Sequence, residues 1–259
     1  MHTPRKRFGQ HFLRDQSVIQ RIVAAIRPTV GDHLVEIGPG QGALTVPVLK
    51  LVHHLDAIEF DRDLIAELES RAVRGGLRVH EADALYFDYA SLQVGKKLLR
   101  VFGNLPYNIS TPLLFHLLEY APIIADMVFM LQKEVAERIA AEADSDHYGR
   151  LSVMVQYHCE VDLLFDVPPM AFHPPPKVQS SIVRLQPYRE CPHKTNDYEL
   201  FSAIVKQAFG QRRKTLRNSL RDLIDAESWE RMPVASDLRA ENLSVKDFVA
   251  ISNALVSTK

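Results

Sequence analysis

This 259-residue sequence predicts an α/β fold, a mainly parallel sheet followed by a small all-helical domain. Three observations carry that expectation. Apolar runs at Leu34-Val35-Glu36-Ile37, Leu55-Asp56-Ala57-Ile58-Glu59 and Leu77-Arg78-Val79-His80 each end in a glycine turn or at an acid. Helical patterns lie between them, the alternation that builds parallel sheets. Beyond a linker from Pro187 to Pro192 the pattern is helical to the end. The expected division is residues 1–188 and 189–259.

The bulk properties are those of a globular chain, 46% hydrophobic and 24% charged, with a formal charge of −1. Any polyanionic partner must therefore be met by a local cluster of cations. Cys159 and Cys191 stand alone, in no CxxC or Cys/His pattern, which argues against zinc and against a disulfide framework. The opening residues lead into no apolar signal segment. The most apolar region, Leu113 to Leu131, is broken by His116, Glu119 and Asp126 and is too polar to span a membrane. A soluble, cytoplasmic protein is the expectation.

Taken in order, Arg5-Lys6-Arg7-Phe8-Gly9-Gln10-His11-Phe12-Leu13 mixes cations with aromatics ahead of a helix over 16–26. Such an arm suits an RNA backbone or a lid over a ligand, although the residues alone favour a solvated tail whose Phe8 and Phe12 dock on the domain. The first strand runs into Gly38-Pro39-Gly40-Gln41-Gly42, a turn that lets backbone approach a nucleotide-like ligand. Its Gly-x-Gly-x-Gly spacing is not the dinucleotide fingerprint, and tight strand–helix turns also use glycine for packing. Glu59 ends the second strand, 23 residues beyond Glu36, where a carboxylate grips ribose hydroxyls in nucleotide-binding α/β folds. Asp61 and Asp63 are placed to cap the helix that follows, expected to run to Arg74. The third strand leads to Asp83.

A fourth strand, Leu98 to Phe102, delivers Asn104-Leu105-Pro106-Tyr107 to the same sheet edge. Its chemistry suits an exocyclic amine on a planar ring. Asn104 offers a neutral amide oxygen, and the Leu105 carbonyl, released as the strand ends, offers a second acceptor. Pro106 stiffens the turn, and Tyr107 gives a face on which a base stacks. The same residues also read as a turn opening a helix near Thr111-Pro112. Further on, a strand over 126–131, helices over 133–143 and from 148, and strands over 161–167 and 178–185 are expected, the last two as an antiparallel pair at one edge. Between those two, Pro168-Pro169-Met170-Ala171-Phe172-His173-Pro174-Pro175-Pro176 is a stiff loop. It either holds Phe172 opposite Tyr107, with a base between the rings, or packs Phe172 in the core. In the helical region Arg213, Arg217 and Arg221 recur at i, i+4 and i+8, sharing one helix face with Lys214 beside them. A charge run is often only a solvated face, but one of nearly single sign fits an RNA backbone.

Phe-Gly-Gln-His-Phe-Leu near the start, Asn-Leu-Pro-Tyr-Asn-Ile-Ser, Phe-x-Pro-x-Pro-x-Val and Arg-Arg-Lys-Thr-Leu-Arg-Asn-Ser-Leu occur here in order. Together they resemble the ribosomal RNA adenine N6-dimethyltransferases, in their bacterial small-subunit branch, from Arg5 to Leu255. The resemblance implies a Rossmann-like class I S-adenosylmethionine-dependent methyltransferase sheet, with a C-terminal domain that binds RNA. By the same resemblance His11, Leu13, Gly38, Gly40, Glu59, Asp83 and Asn104 contact S-adenosylmethionine, Asp83 through the adenine amino group. Asn104, Leu105, Pro106, Tyr107 and Phe172 form the catalytic set, and Arg5, Lys6, Arg7, Arg213, Lys214, Arg217 and Arg221 meet RNA. The family's activity is transfer of four methyls to two adjacent adenosines in a hairpin loop near the 3′ end of 16S rRNA, in the assembling small subunit. A monomer that uses no metal is expected. Two rivals remain from the residues alone. A nicotinamide oxidoreductase explains Glu59 but not the glycine spacing, and a non-enzymatic RNA-binding assembly factor explains the cations but not the acids at the strand ends.

Overall fold

The computed structural model describes residues 11–71 and 76–256, so Arg5, Lys6 and Arg7 lie outside the described residues. The chain divides into two compact units, Met1–Ala136 with Val161–Pro187, and Glu137–Glu160 with Tyr188–Lys259. One break follows Pro187, one residue from the division expected after 188. Residues 137–160, expected in the first part, group with the C-terminal helices.

In the first unit the chain runs β1 (Phe12–Leu13), α1 (Gln16–Ile26), β2 (His33–Ile37), α2 (Thr45–Leu49), β3 (Leu55–Glu59), α3 (Arg62–Arg71) and β4 (Leu77–Glu81). It continues with β5 (Leu99–Asn104), α4 (Ser110–Glu119) and β6 (Ile124–Gln132). After α5 (Lys133–Ala140) and α6 (Arg150–His158) come β7 (Cys159–Val167), β8 (Phe172–His173) and β9 (Ser180–Pro187). The sheet has the order β4-β3-β2-β5-β6-β9-β7. Its strands from β4 to β6 pair in parallel, and β9 lies antiparallel to β6 with Gln132 opposite Ser180. β7 holds the outer edge, beside β9.

Every residue of β2 and β3 is buried, the signature of strands covered on both faces. At the amino ends of these strands the buried Asp56 binds His33 (3.1 Å), His54 (3.0 Å) and His80 (2.7 Å), tying three segments to one carboxylate. Along β5, a Cβ on Gly103 would run into the Ile37 carbonyl, so only glycine lets β5 lie this close to β2 just before Asn104. The N-terminal segment is fixed by β1, which pairs antiparallel with β8, Leu13 opposite Phe172. Asp15 then caps α1 through the Ser17 and Val18 amides.

The second unit packs α6, α7 (Tyr198–Gly210) and α9 (Val245–Val256) around Phe201, Ile204, Val205, Phe248 and Ile251, all fully buried. Ser244 and Asp247 cap α9 reciprocally. The single helix expected to carry Arg213, Arg217 and Arg221 is not there. Helix α8 (Leu216–Ser219) is one turn long. Thr215 is extended and bridges Arg239, and the Leu216 and Arg217 amides bond the carbonyls of Leu238 and Ser236. Those amides are spent on a neighbouring loop, so no helix runs through Thr215. Arg213 precedes the break and Arg221 follows α8, and Arg213, Lys214, Arg217 and Arg221 are all exposed.

Candidate active site

The carboxyl ends of β2, β3, β5 and the loop after β4 enclose a cavity of about 250 Å³. Gly40, at φ +55°, turns its backbone into the cavity, and a Cβ there would press on the Phe12 ring at 3.3 Å. Glu59 ends β3 with its carboxylate held on three backbone amides, Phe60 and Asp61 at 2.9 Å and Gly40 at 3.1 Å. A carboxylate has about four lone-pair sites. Three are taken, so Glu59 is aimed by the glycine turn with one acceptor position left, where two ribose hydroxyls were expected. Burial raises its pKa against the pull of those amides. Glu36, buried and bonded by the Thr45 hydroxyl at 2.6 Å, is pushed up to about 8, chiefly by burial, with the Glu59 charge adding. Asp83 closes the third side, one oxygen on the Leu85 amide at 2.9 Å.

Glu36, Glu59, Asp61 and Asp83 line the cavity, and no lysine or arginine does among the described residues. A pyrophosphate would find no counter-charge there, whereas a cationic nucleoside would find Glu59, Asp61 and Asp83. The residues present thus fit S-adenosylmethionine, whose sulfonium and ammonium are positive, better than a nicotinamide dinucleotide.

The acceptor turn stands on the same cavity. Asn104 donates its amide N–H to the His11 carbonyl at 3.1 Å, which commits the nitrogen and leaves Oδ1 as an acceptor. The Leu105 amide bonds the Met130 carbonyl at 3.2 Å, while the Leu105 carbonyl accepts no backbone amide among the described residues. Pro106 accepts from Ile109, and the turn passes directly into α4, which leaves Asn104 Oδ1 and the Leu105 carbonyl ahead of the helix start. Tyr107, half-buried, bonds Ser180 of β9 through its hydroxyl at 2.7 Å. The His11 ring donates from Nδ1 to the Pro174 carbonyl at 2.7 Å and stacks on Tyr107, ring centroids 5.7 Å apart at 29°.

His11, Leu13, Gly38, Gly40, Glu59, Asp83, Asn104, Leu105, Pro106 and Tyr107 are therefore brought together, all from the first unit. Phe172 is not. It is 4% exposed and packs with Leu13, Val18 and Ile182, because pairing of β8 with β1 turns its ring into the core. The ring beside Tyr107 is His11 instead. Phe60, 58% exposed at the rim, and Ser180 were not anticipated. Phe60 could have been found as the residue following the strand-end acid. No local signal marks Ser180, which lies 73 residues from Tyr107. The exposed cations Arg213, Lys214, Arg217 and Arg221 belong to the second unit. No cluster of three or more His, Cys, Asp or Glu among the described residues has metal-holding geometry.

A family model described as ribosomal RNA adenine dimethylase matches residues 1–257. The ribosomal RNA small subunit methyltransferase A of Pseudomonas aeruginosa is 54% identical over 98% of this chain and 95% of its own. That of Alcanivorax borkumensis is 52% identical over 97% and 90%. Among solved structures, a dimethyladenosine transferase from Plasmodium falciparum superposes with a TM-score of 0.78 at 28% identity, covering 93% of this chain and 96% of its own. The 23S rRNA methyltransferase ErmE, at 23% identity and TM-score 0.72 over 95% and 99%, shares the fold.

Proposed function

This chain belongs to the ribosomal RNA adenine dimethylase family, a Rossmann-like group of S-adenosylmethionine-dependent methyltransferases, and from that membership we propose its reaction in residue detail. It transfers four methyls to N6 of two adjacent adenosines in a hairpin loop near the 3′ end of 16S rRNA. The substrate is the assembling small subunit, and the enzyme works as a cytoplasmic monomer without a metal. One observation carries the reading: Asn104-Leu105-Pro106-Tyr107 ends β5 on the same acid-lined cavity as Glu59 and Asp83.

S-adenosylmethionine supplies an electrophilic methyl on a sulfonium. The chain's own residues do the rest. Glu59 accepts from the ribose, Asp83 from the adenine amino group, and His11, Leu13, Gly38 and Gly40 enclose the methionine end. Asn104 Oδ1 and the Leu105 carbonyl accept the two N–H bonds of the target N6. That orients a weakly nucleophilic nitrogen and holds its lone pair in line. Asn104 is neutral and a poor base. The proton leaves after alkylation, when the nitrogen has become acidic, so no dedicated general base is needed. Extruding the base costs a few kcal/mol, less in a loop, and stacking on Tyr107 returns part of it. Arg213, Lys214, Arg217 and Arg221 contact the RNA backbone. Arg5, Lys6 and Arg7 take the same role on the strength of the sequence alone.

No helix among the described residues is long and apolar enough to cross a membrane. The test is a methyl-transfer assay on unmethylated small subunits with the modified nucleotides mapped. Dimethyladenosine at two adjacent loop positions supports the reading. Methyl groups elsewhere, or none, overturn it.

A further inference from the structure

Two partners hold the acceptor turn at two different groups. The His11 carbonyl fixes the Asn104 amide, and Ser180 fixes the Tyr107 hydroxyl. Ser180 is completely buried, and its backbone lies in the ladder between β9 and β6, opposite Gln132. The next step of that ladder, from the Lys133 amide to the Gln179 carbonyl at 2.9 Å, continues it past the strand end. The Ser180 oxygen is therefore anchored by main chain on a central strand. It pins the far end of the Tyr107 ring from outside the turn itself.

The two clamps do not serve the two methylations equally. In the first, N6 carries two N–H bonds and uses both acceptors, Asn104 Oδ1 and the Leu105 carbonyl. Its lone pair forms the new C–N bond as the sulfonium C–S bond breaks and that electron pair goes to sulfur, leaving a thioether. The surplus proton on nitrogen passes to water. The product has a single N–H, so in the second transfer, from a second donor molecule by the same balance, one acceptor has nothing to bind. Orientation of the base then rests more heavily on the face it stacks against.

Resting on the proposed acceptor role of the turn, we propose that Ser180 is a positioning residue that sets the completeness of dimethylation by fixing the Tyr107 ring. Losing one neutral hydrogen bond changes an equilibrium by about two- to tenfold. That loss falls mainly on the second transfer, where hydrogen-bond anchoring is already halved.

Mono- and dimethyladenosine are followed by mass spectrometry on unmethylated small subunits, with S-adenosylmethionine affinity measured by calorimetry on the same samples. Ser180→Ala is expected to slow the second transfer about two- to tenfold more than the first. Monomethyladenosine then accumulates while cofactor affinity stays unchanged, and Ser180→Thr restores the wild-type ratio. Tyr107→Phe, which keeps the ring and loses only the hydroxyl, is expected to match Ser180→Ala, and the double variant to add nothing. Equal slowing of both transfers, or an added loss in the Tyr107→Phe background, would overturn the positioning role. Full activity of Asn104→Ala would instead overturn the acceptor assignment beneath it.

Discussion

The cavity at the end of the sheet and the basic segment around Leu216 are both rich in charge, yet they are built in opposite ways. In the cavity the key side chains have second partners. Three amides hold Glu59, the His11 carbonyl holds Asn104, and Ser180 holds Tyr107. Around Leu216, Arg213, Lys214 and Arg217 are exposed and without ion-pair partners among the described residues, and Arg221 only approaches the exposed Asp222 at 3.7 Å. Pre-aimed groups suit a small ligand of fixed shape and a reaction that needs alignment. Exposed cations suit a polyanion whose path varies, since they neutralise phosphates without reading bases.

Substitutions should therefore show steep, single-residue effects in the cavity and shallow, collective ones in the basic segment. The steepest is Asn104→Ala. The catalytic rate is expected to fall about a hundredfold or more, as when one oriented group is lost from a transition state, with S-adenosylmethionine affinity little changed. Parallel loss of both would make Asn104 a cofactor contact and nothing more. Glu59→Ala should raise the cofactor dissociation constant about tenfold or more, measured by calorimetry, and near-normal binding would remove the ribose assignment.

Glu36 gives a prediction in pH. Its pKa is raised in the folded state to about 8, so between the ordinary carboxylate range and pH 8 the folded protein holds a proton that the unfolded chain has released. Stability of the free enzyme then falls as pH rises through that window, by at most about 1.4 kcal/mol per pH unit. Glu36→Gln should flatten the decline in denaturant titrations at pH 6 and pH 8, and an equal decline in both proteins would show Glu36 already ionised. The shallowest effect belongs to the basic segment. Neutralising Arg213, Arg217 and Arg221 together should lower the salt slope of RNA binding by up to about 0.7 per lost phosphate contact. If instead one of the three carried the whole loss, the contrast between the two regions would break.

The same contrast governs what could be read in advance. Strands covered on both faces are continuous apolar runs punctuated by glycine or an acid, so β2 and β3 were legible from the sequence. The partly exposed edge strand β4 was legible only from its short alternating run between glycine and an acid. The turn at Asn104 was legible because its chemistry lies in four consecutive residues. Features made by pairing distant segments were not. Ser180 reaches Tyr107 only through the antiparallel insertion of β9, and Phe172 faces the core only because β8 meets β1. The period of Arg213, Arg217 and Arg221 is a pattern in charge, and charge spacing does not fix backbone. The extended Thr215, bridged to Arg239, decides it. Helix α6 precedes β7 in sequence but belongs with α7 and α9, and chain order gives no sign of that.

The most direct test is a structure of the enzyme with S-adenosylhomocysteine and an RNA hairpin bearing the target adenosines. The account predicts the extruded adenine against Tyr107, with N6 within hydrogen-bond reach of both Asn104 Oδ1 and the Leu105 carbonyl and directed at the cofactor's sulfur. An adenine bound elsewhere, or N6 pointing away from those two oxygens, would contradict it.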